Sequence, residues 1–352
     1  DSESILDLAL RTFHPVRQLR WHYRSRHESL IAFSNKEFYD SSLVVFPSAH
    51  RDDRDLGVRY VHVQGTYIRN KRINPVEAQR VAEAAIEFMK KYPKRSLGIV
   101  CVNKAQTELL QEEISMRMAH TPEAEKYRVQ WEATLEPFFI KNLENVQGDE
   151  RDVIFVSTVY GPDQETGQVA QRFGPINTQT GHRRLNVLFT RAKEQVVVFS
   201  SLKPEDIQPT ERSSRGVYVL RGYLEFARSG FQALGKVTGR EPDSDFEIFV
   251  AERLRTHGYE VVPQVGVDGY FVDIGVLDPD NPSRYLAGIE CDGATYHSAK
   301  SARDRDRLRQ ERLEKLGWNI YRIWSVDWFS DPDREMRKLL RYLTALQKRK
   351  SR

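Results

Sequence analysis

Three short runs of unbroken apolar residues constrain the fold of this chain most: LGIVCV ending at Val102, DVIFVSTV over Asp152–Val159, and QVVVFSS ending at Ser201. Runs without polar alternation suit strands buried on both faces of a parallel sheet. Helical patterns separate them. Asn74 and Pro75 open a helix through Ala78, Val81, Ala85 and Phe88, Lys104 to Met116 forms the next, and RRLNVLFTRAK a third. Strand and helix alternating on short links means an α/β fold with a parallel sheet flanked by helices. Ser4–Leu10 reads as a short helix, Leu19–Tyr23 and Val58–Val63 as further strands, and His27–Phe38 as an amphipathic helix. Residues 120–135 read as a polar loop, or as a strand beginning at Tyr127.

Beyond residue 201 the pattern changes. KPEDIQPTERSSRG is loop-like, GVYVLRGYLEFARSG a short helix, and GKVTGREPDS a boundary. Ser244 or Asp245 then caps a helix through Phe246, Val250 and Leu254, which ends at Gly258. YEVVPQVGV is a strand, and GYFVDIGVLDPDNPSRYLAGIECDGATYH reads as two strands joined by the turn-rich DPDNPS. Glu290 and Asp292, two apart in a strand, project from one face. If the two strands pair, Asp273 reaches the same spot. Gathered acids repel one another, and a hard cation held by one or two carboxylates with water and phosphate is a common remedy. The alternative is solvated strand-end acids satisfied by nearby arginines. SAKSARDRDRLRQERLEKLGW is the next helix, WNIYRIW a strand, and Asp331–Lys348 a closing helix.

At 352 residues there is room for two domains, each with its own core. No long apolar run spans a membrane, and DSESILDLAL lacks the features of a signal peptide. Cys101 and Cys291 are the only cysteines, too few for a disulfide framework or a zinc site, so a reducing cytoplasm is the expected setting. The net charge of +4 is modest, so a nucleic acid would meet local patches such as RDRDRLRQERLEK and QKRKSR. A solvated helix face with paired charges is the other interpretation of these patches.

Two resemblances add to this. The order of YRS near residue 24, NKAQTELL after a strand, NVQGDERDVI and RRLNVLFTRAK resembles the second RecA-like domain of superfamily 1 helicases, particularly the Upf1-like group, over residues 15–205. The resemblance implies that Arg24 and Arg191 face the γ-phosphate of ATP, where arginine stabilises developing charge. It also implies that Gln147, Gly148 and Glu150 line the nucleotide edge, and that Asn103, Lys104 and Asn142 contact the nucleic-acid backbone. Helicases of this kind also need a first RecA-like domain with a phosphate loop. The nearest match here, GFQALGKV, lacks the Ser/Thr that holds Mg²⁺ and does not follow a strand. The expectation is therefore the C-terminal part of a longer helicase, beginning mid-protein, with its N-terminal RecA-like ATPase domain missing and little ATP hydrolysis of its own.

The stretch from about Ser244 to Phe329 resembles the very-short-patch-repair branch of the PD-(D/E)xK nucleases: an acid on a helix, then D, then E-x-D-G and a histidine. Asp292 stands where the commoner pattern has a lysine that polarises water. The branch resembled relies instead on a histidine, here His297, as general base. The resemblance implies Mg²⁺ or Mn²⁺ held by Asp273 and Glu290 with the backbone of Cys291, water activation by Asp292 and His297, and participation of Glu247. A first-turn acid favoured by the helix dipole is the other account of Glu247. The expected division is a helicase domain over residues 1–205, a linker over 206–243 and a restriction-endonuclease-like domain over 244–352. The expected partner is nucleic acid, DNA rather than RNA, with no membrane, and the expected setting is bacterial defence or DNA repair. An inactive binding module is the competing function, motivated by Asp292.

Overall fold

The computed structural model describes residues 5–236, 239–293 and 300–350. The first part runs α1 (Ile5–Thr12), α2 (Ser29–Phe38), β1 (Gly57–His62), α3 (Pro75–Lys91), β2 (Leu97–Cys101), α4 (Lys104–Ala119), α5 (Pro122–Glu132), β3 (Phe139–Asn142), β4 (Arg151–Ser157), α6 (Gly181–Phe189), β5 (Ala192–Ser200) and α7 (Arg215–Ser229). Its five strands form one wholly parallel sheet in the order β1-β5-β4-β2-β3. Every residue of β2 is buried, as the unbroken apolar run requires. Asn74 caps α3, its side chain accepting the Glu77 N–H at 3.1 Å with Pro75 at the first helical position. Asn103 caps α4 in the same way.

Two local expectations fail. Leu19–Tyr23 is not a strand: Trp21 makes a single bridge to Val44. Residues 120–135 contain helix α5, which starts at Pro122 with Glu123 and Glu125 in its first turn. Only Ala124 and Tyr127 bury along it, so its apolar stripe is too thin to read as periodicity, and Arg128 bridges Glu125 and Glu132 along the exposed side.

One acid lies inside this first core. Glu77 is fully buried and accepts from Ser157 Oγ and the Val159 N–H at 2.7 Å each, and from the Ser201 N–H and Oγ at 3.0 Å each. It thereby ties α3 to the ends of β4 and β5. Burial pushes its carboxyl up to about 7, with the four donors pulling the other way. A carboxyl that holds its proton longer folded than unfolded loses stability as pH rises from its unfolded value through its folded one. Relative to Glu77→Gln, the wild type should therefore lose on the order of 1–3 kcal/mol between about pH 5 and about pH 7.5. Urea unfolding of both proteins at the two pH values checks this, and parallel pH profiles would contradict it.

The second part runs α8 (Asp245–Thr256), β6 (Val261–Val265), β7 (Val272–Asp278), β8 (Asn281–Asp292), α9 (Lys300–Lys315), β9 (Ile320–Trp324), α10 (Ser325–Ser330) and α11 (Pro332–Lys350). The short α10 was not anticipated. Its sheet has the order β6-β7-β8-β9, antiparallel until β8 and β9, which run parallel. Phe246, Val250, Ile274, Ile289, Ile323, Leu339 and Leu343 make one core on one face of this sheet.

The other face is covered partly by the first part of the chain. Phe46 and Ala49 cluster with Val265, Val272, Leu277, Tyr285, Leu313, Leu316 and Trp318. Main-chain bonds fasten the segment: Val45 N–H to Asp268 O at 2.9 Å, Ala49 N–H to Leu316 O at 3.2 Å and Tyr285 N–H to Ala49 O at 2.8 Å. Trp318 Nε1 donates to Pro47 O at 2.9 Å. Lys236, the lysine of GFQALGKV, pairs with Asp268, which also accepts from Asn35 Nδ2 at 3.0 Å. That lysine is thus held in a salt bridge across the junction.

Candidate functional site

The strand register builds the acidic cluster. Ile274 pairs with Ile289 and Gly275 with Gly288, so continuing the ladder one residue outward sets Asp273 opposite Glu290. Directly opposed residues share a face, and Asp292 follows two positions on along it. Asp273 Oδ2 accepts the Cys291 N–H at 2.7 Å, Glu290 Oε1 accepts Tyr270 O–H at 3.2 Å, and Asp292 stands 3.6 Å from Arg322. Glu247 reaches the cluster from the first turn of α8. It accepts from Gln264 Nε2 at 2.7 Å, Ser244 Oγ at 2.9 Å and the Asp243 N–H at 3.0 Å.

Loss of water is the largest influence on both central acids and raises their pKa values. Glu247 and Asp292 push Asp273 further up, and Asp273 and Asp292 do the same to Glu290. These acids do not all ionise comfortably without a compensating positive charge. Burial and the same acids push the Cys291 thiol well above its ordinary value, so its sulfur is a neutral thiol and only its main chain is offered to a hard cation. Among the described residues no group of three or more His, Cys, Asp or Glu side chains could hold a metal ion. Two carboxylates and a carbonyl nonetheless fit Mg²⁺, which keeps waters and takes phosphate oxygens in place of further protein ligands. His297 lies outside the described residues.

At the start of β4 and β5, the helicase-like motifs converge. Arg24 Nε lies 2.9 Å from Glu150, and Arg24 Nη1 donates to Thr190 O at 3.1 Å, next to Arg191. Arg191 Nε donates to Val187 O at 2.9 Å, and burial with the neighbouring Arg24 charge lowers its pKa. Two guanidiniums held together at one edge present a place for a polyanion. Gly148 sits at φ +95° with nothing within 4 Å of where a Cβ would lie, so backbone conformation rather than crowding calls for glycine there. Gln147 is exposed beside it.

Asn103, Lys104 and Asn142 lie at the opposite edge, beyond β2 and β3, around an open cavity of about 300 Å³ that Arg72, Arg172 and Tyr160 also line. Three cations, two amides and an aromatic ring are the groups that track a phosphodiester backbone.

Gln264, Tyr270, Arg72 and Arg172 were missed as site residues. Gln264 had a signal, a polar residue inside the run VVPQVGV, and the structure holds it at φ +48°. Arg72 and Arg172 lie in loops far apart in sequence, and no local pattern marks them.

Residues 2–203 match the AAA domain family, and residues 246–343 match REase_MTES_1575. The chain is 29% identical over 361 residues to the uncharacterized ATP-dependent helicase MG140 homolog of Mycoplasma pneumoniae, covering 97% of this chain and 31% of that protein. It is 29% identical over 347 residues to the uncharacterized ATP-dependent helicase MG140 of Mycoplasma genitalium, covering 94% of this chain and 30% of that protein. The chain thus spans about a third of the length of the curated relatives it matches. Among solved structures, the C-terminal domain of a possible DNA helicase from Lactobacillus plantarum WCFS1 is similar at 16% identity. That match covers 55% of this chain and 96% of the other, at a TM-score of 0.30 too low to bear on function.

Proposed function

The chain belongs to the AAA domain family, as a superfamily 1 helicase-like domain joined to a restriction-endonuclease-like domain, and on that premise we propose that it cleaves nucleic-acid phosphodiester bonds. DNA is the proposed substrate, and divalent metal the proposed cofactor. Asp273 set opposite Glu290, both withdrawn from water and crowded by further acids that hold their protons on, is the observation that carries this reading.

Asp273, Glu290 and the Cys291 carbonyl would hold Mg²⁺ or Mn²⁺. The bound ion would polarise a phosphoryl oxygen and acidify a bound water. Tyr270 and the Cys291 N–H orient the two acids, while Gln264 ties Glu247 to the same cluster. Asp292 and His297 are the proposed groups that position and deprotonate the attacking water. Arg24 and Arg191, with Gln147, Gly148 and Glu150, are proposed to face the nucleotide, which in this family takes a second ATPase domain to bind fully. Asn103, Lys104 and Asn142, with Arg72 and Arg172, are proposed to carry the strand. The proposed units are residues 1–205 and 244–352, joined by residues 206–243.

Asp292, where a lysine is commoner, favours a second reading, an inactive nucleic-acid-binding module. Labelled single- and double-stranded DNA and RNA incubated with the chain in Mg²⁺, Mn²⁺ or EDTA separate the two. Metal-dependent cutting of DNA that stops in EDTA is the expected result. Binding without cutting in either metal would support the module instead.

A further inference from the structure

Two lines of contact lead from the arginine edge of the helicase-like domain to the acidic cluster, and both end on Tyr270. The first is aromatic. Trp21, three residues before Arg24, meets Phe46 edge-on at 5.4 Å between centroids, and Phe46 meets the Tyr270 ring at 4.8 Å. Main-chain bonds lock the two segments together, His22 N–H to Val44 O at 3.1 Å and Val44 N–H to Arg20 O at 2.6 Å. The second line passes through α9. Arg312 Nη2 donates to Ser25 O, the carbonyl next to Arg24, at 2.7 Å. One turn earlier on α9, the Arg309 guanidinium stands 5.8 Å from the Tyr270 ring centroid. Tyr270 then hands its O–H to Glu290 Oε1 at 3.2 Å.

We propose that Tyr270 is a positioning residue that sets the Glu290 carboxylate according to where the Trp21–Arg26 loop sits, so that the nucleotide edge regulates the acidic site. The proposal rests on the assignment of Asp273 and Glu290 as the metal-facing acids. Arg24 is the group in that loop whose partner changes when a polyanion displaces Glu150 from it. A shift of the loop moves Trp21 and the Ser25 carbonyl together, and buried Phe46, in contact with both the Trp21 and Tyr270 rings, passes the movement on. The hydroxyl is the last link, since it alone joins the ring to the carboxylate. Removing an outer partner of a metal-ligating carboxylate commonly weakens metal binding about 10- to 100-fold.

The test is a double-mutant cycle on the whole chain, pairing Arg24→Ala with Tyr270→Phe. Its first readout needs no metal: the Glu290 side-chain carboxyl resonance in protein labelled at glutamate, assigned with Glu290→Gln, in EDTA. Arg24→Ala is expected to move that resonance in the wild-type background and to leave it still in Tyr270→Phe. The second readout is Mn²⁺ affinity by calorimetry, where Tyr270→Phe should weaken binding about 10-fold. Arg24→Ala should add several-fold more only while the hydroxyl is present. Phe46→Leu, which keeps an apolar filler but removes the intermediate ring, should reduce the coupling and leave the part carried through α9. Equal responses to Arg24→Ala in both backgrounds would overturn the proposal. Coupling of the resonance without any Mn²⁺ binding would uphold it and overturn the metal assignment instead.

Discussion

Asp273→Ala is expected to lower metal-dependent cleavage by about 10³-fold or more, equivalent to about 4 kcal/mol of transition-state stabilisation. Asp273 and Glu290 are the two side-chain carboxylates that the ladder sets face to face, so loss of Asp273 leaves only Glu290 and a main-chain carbonyl to hold a cation. The same substitution should leave the metal-free protein as stable as wild type or more so. Asp273 is withdrawn from water and crowded by Glu247 and Asp292, and it is raised to a pKa far above an ordinary aspartate's. Removing it relieves that repulsion, at the expense of one bond from the Cys291 N–H. Lost cleavage with unchanged or higher melting temperature in EDTA is the signature of a group kept for function rather than folding. A variant that both melts early and stops cutting would make Asp273 a structural residue.

Trp318→Ala is expected to destabilise the protein by on the order of 3–5 kcal/mol, the upper end for emptying a large buried site. Trp318 is 3% exposed, stacks on Tyr285 with centroids 4.9 Å apart, and donates to Pro47 O across the junction. Alanine there leaves a cavity and a buried carbonyl without its donor. Because Trp318 shares a cluster with Phe46 and Ala49, the loss falls on the contact between the helicase-like and nuclease-like parts. Thermal unfolding should therefore split into two transitions in the variant while the wild type unfolds in one. A drop below about 1 kcal/mol would mean that the junction contributes little to holding the parts together.

How far the sequence led depended on the range of the interaction involved. The parallel sheet was legible because β2, β4 and β5 carry their burial in continuous apolar runs, and Asn74 with Pro75 announces α3 through local capping. α5 was not legible, since it buries only Ala124 and Tyr127 and is held by pairs on its exposed side. The convergence of Arg24, Glu150 and Arg191 followed from the order of motifs, as did the acids at positions 247, 273, 290 and 292.

The environment of those acids was another matter. Alternation along β8 put Glu290 and Asp292 on one side, but only the pairing of β7 with β8 set Asp273 opposite Glu290. Tyr270 and Gln264 entered through side-chain bonds whose partners lie 20 and 17 residues away. The sequence by itself determined the two α/β units, their order and the acids and arginines they present, because periodicity, capping and motif order are local signals. Tertiary structure alone decided that residues 45–52 lie against the nuclease-like part, and that one tyrosine touches both the aromatic path from Trp21 and the Glu290 carboxylate. The contacts of residues 45–49 with the nuclease-like part join segments more than 200 residues apart, where packing of complementary surfaces, rather than any local pattern, selects the partner.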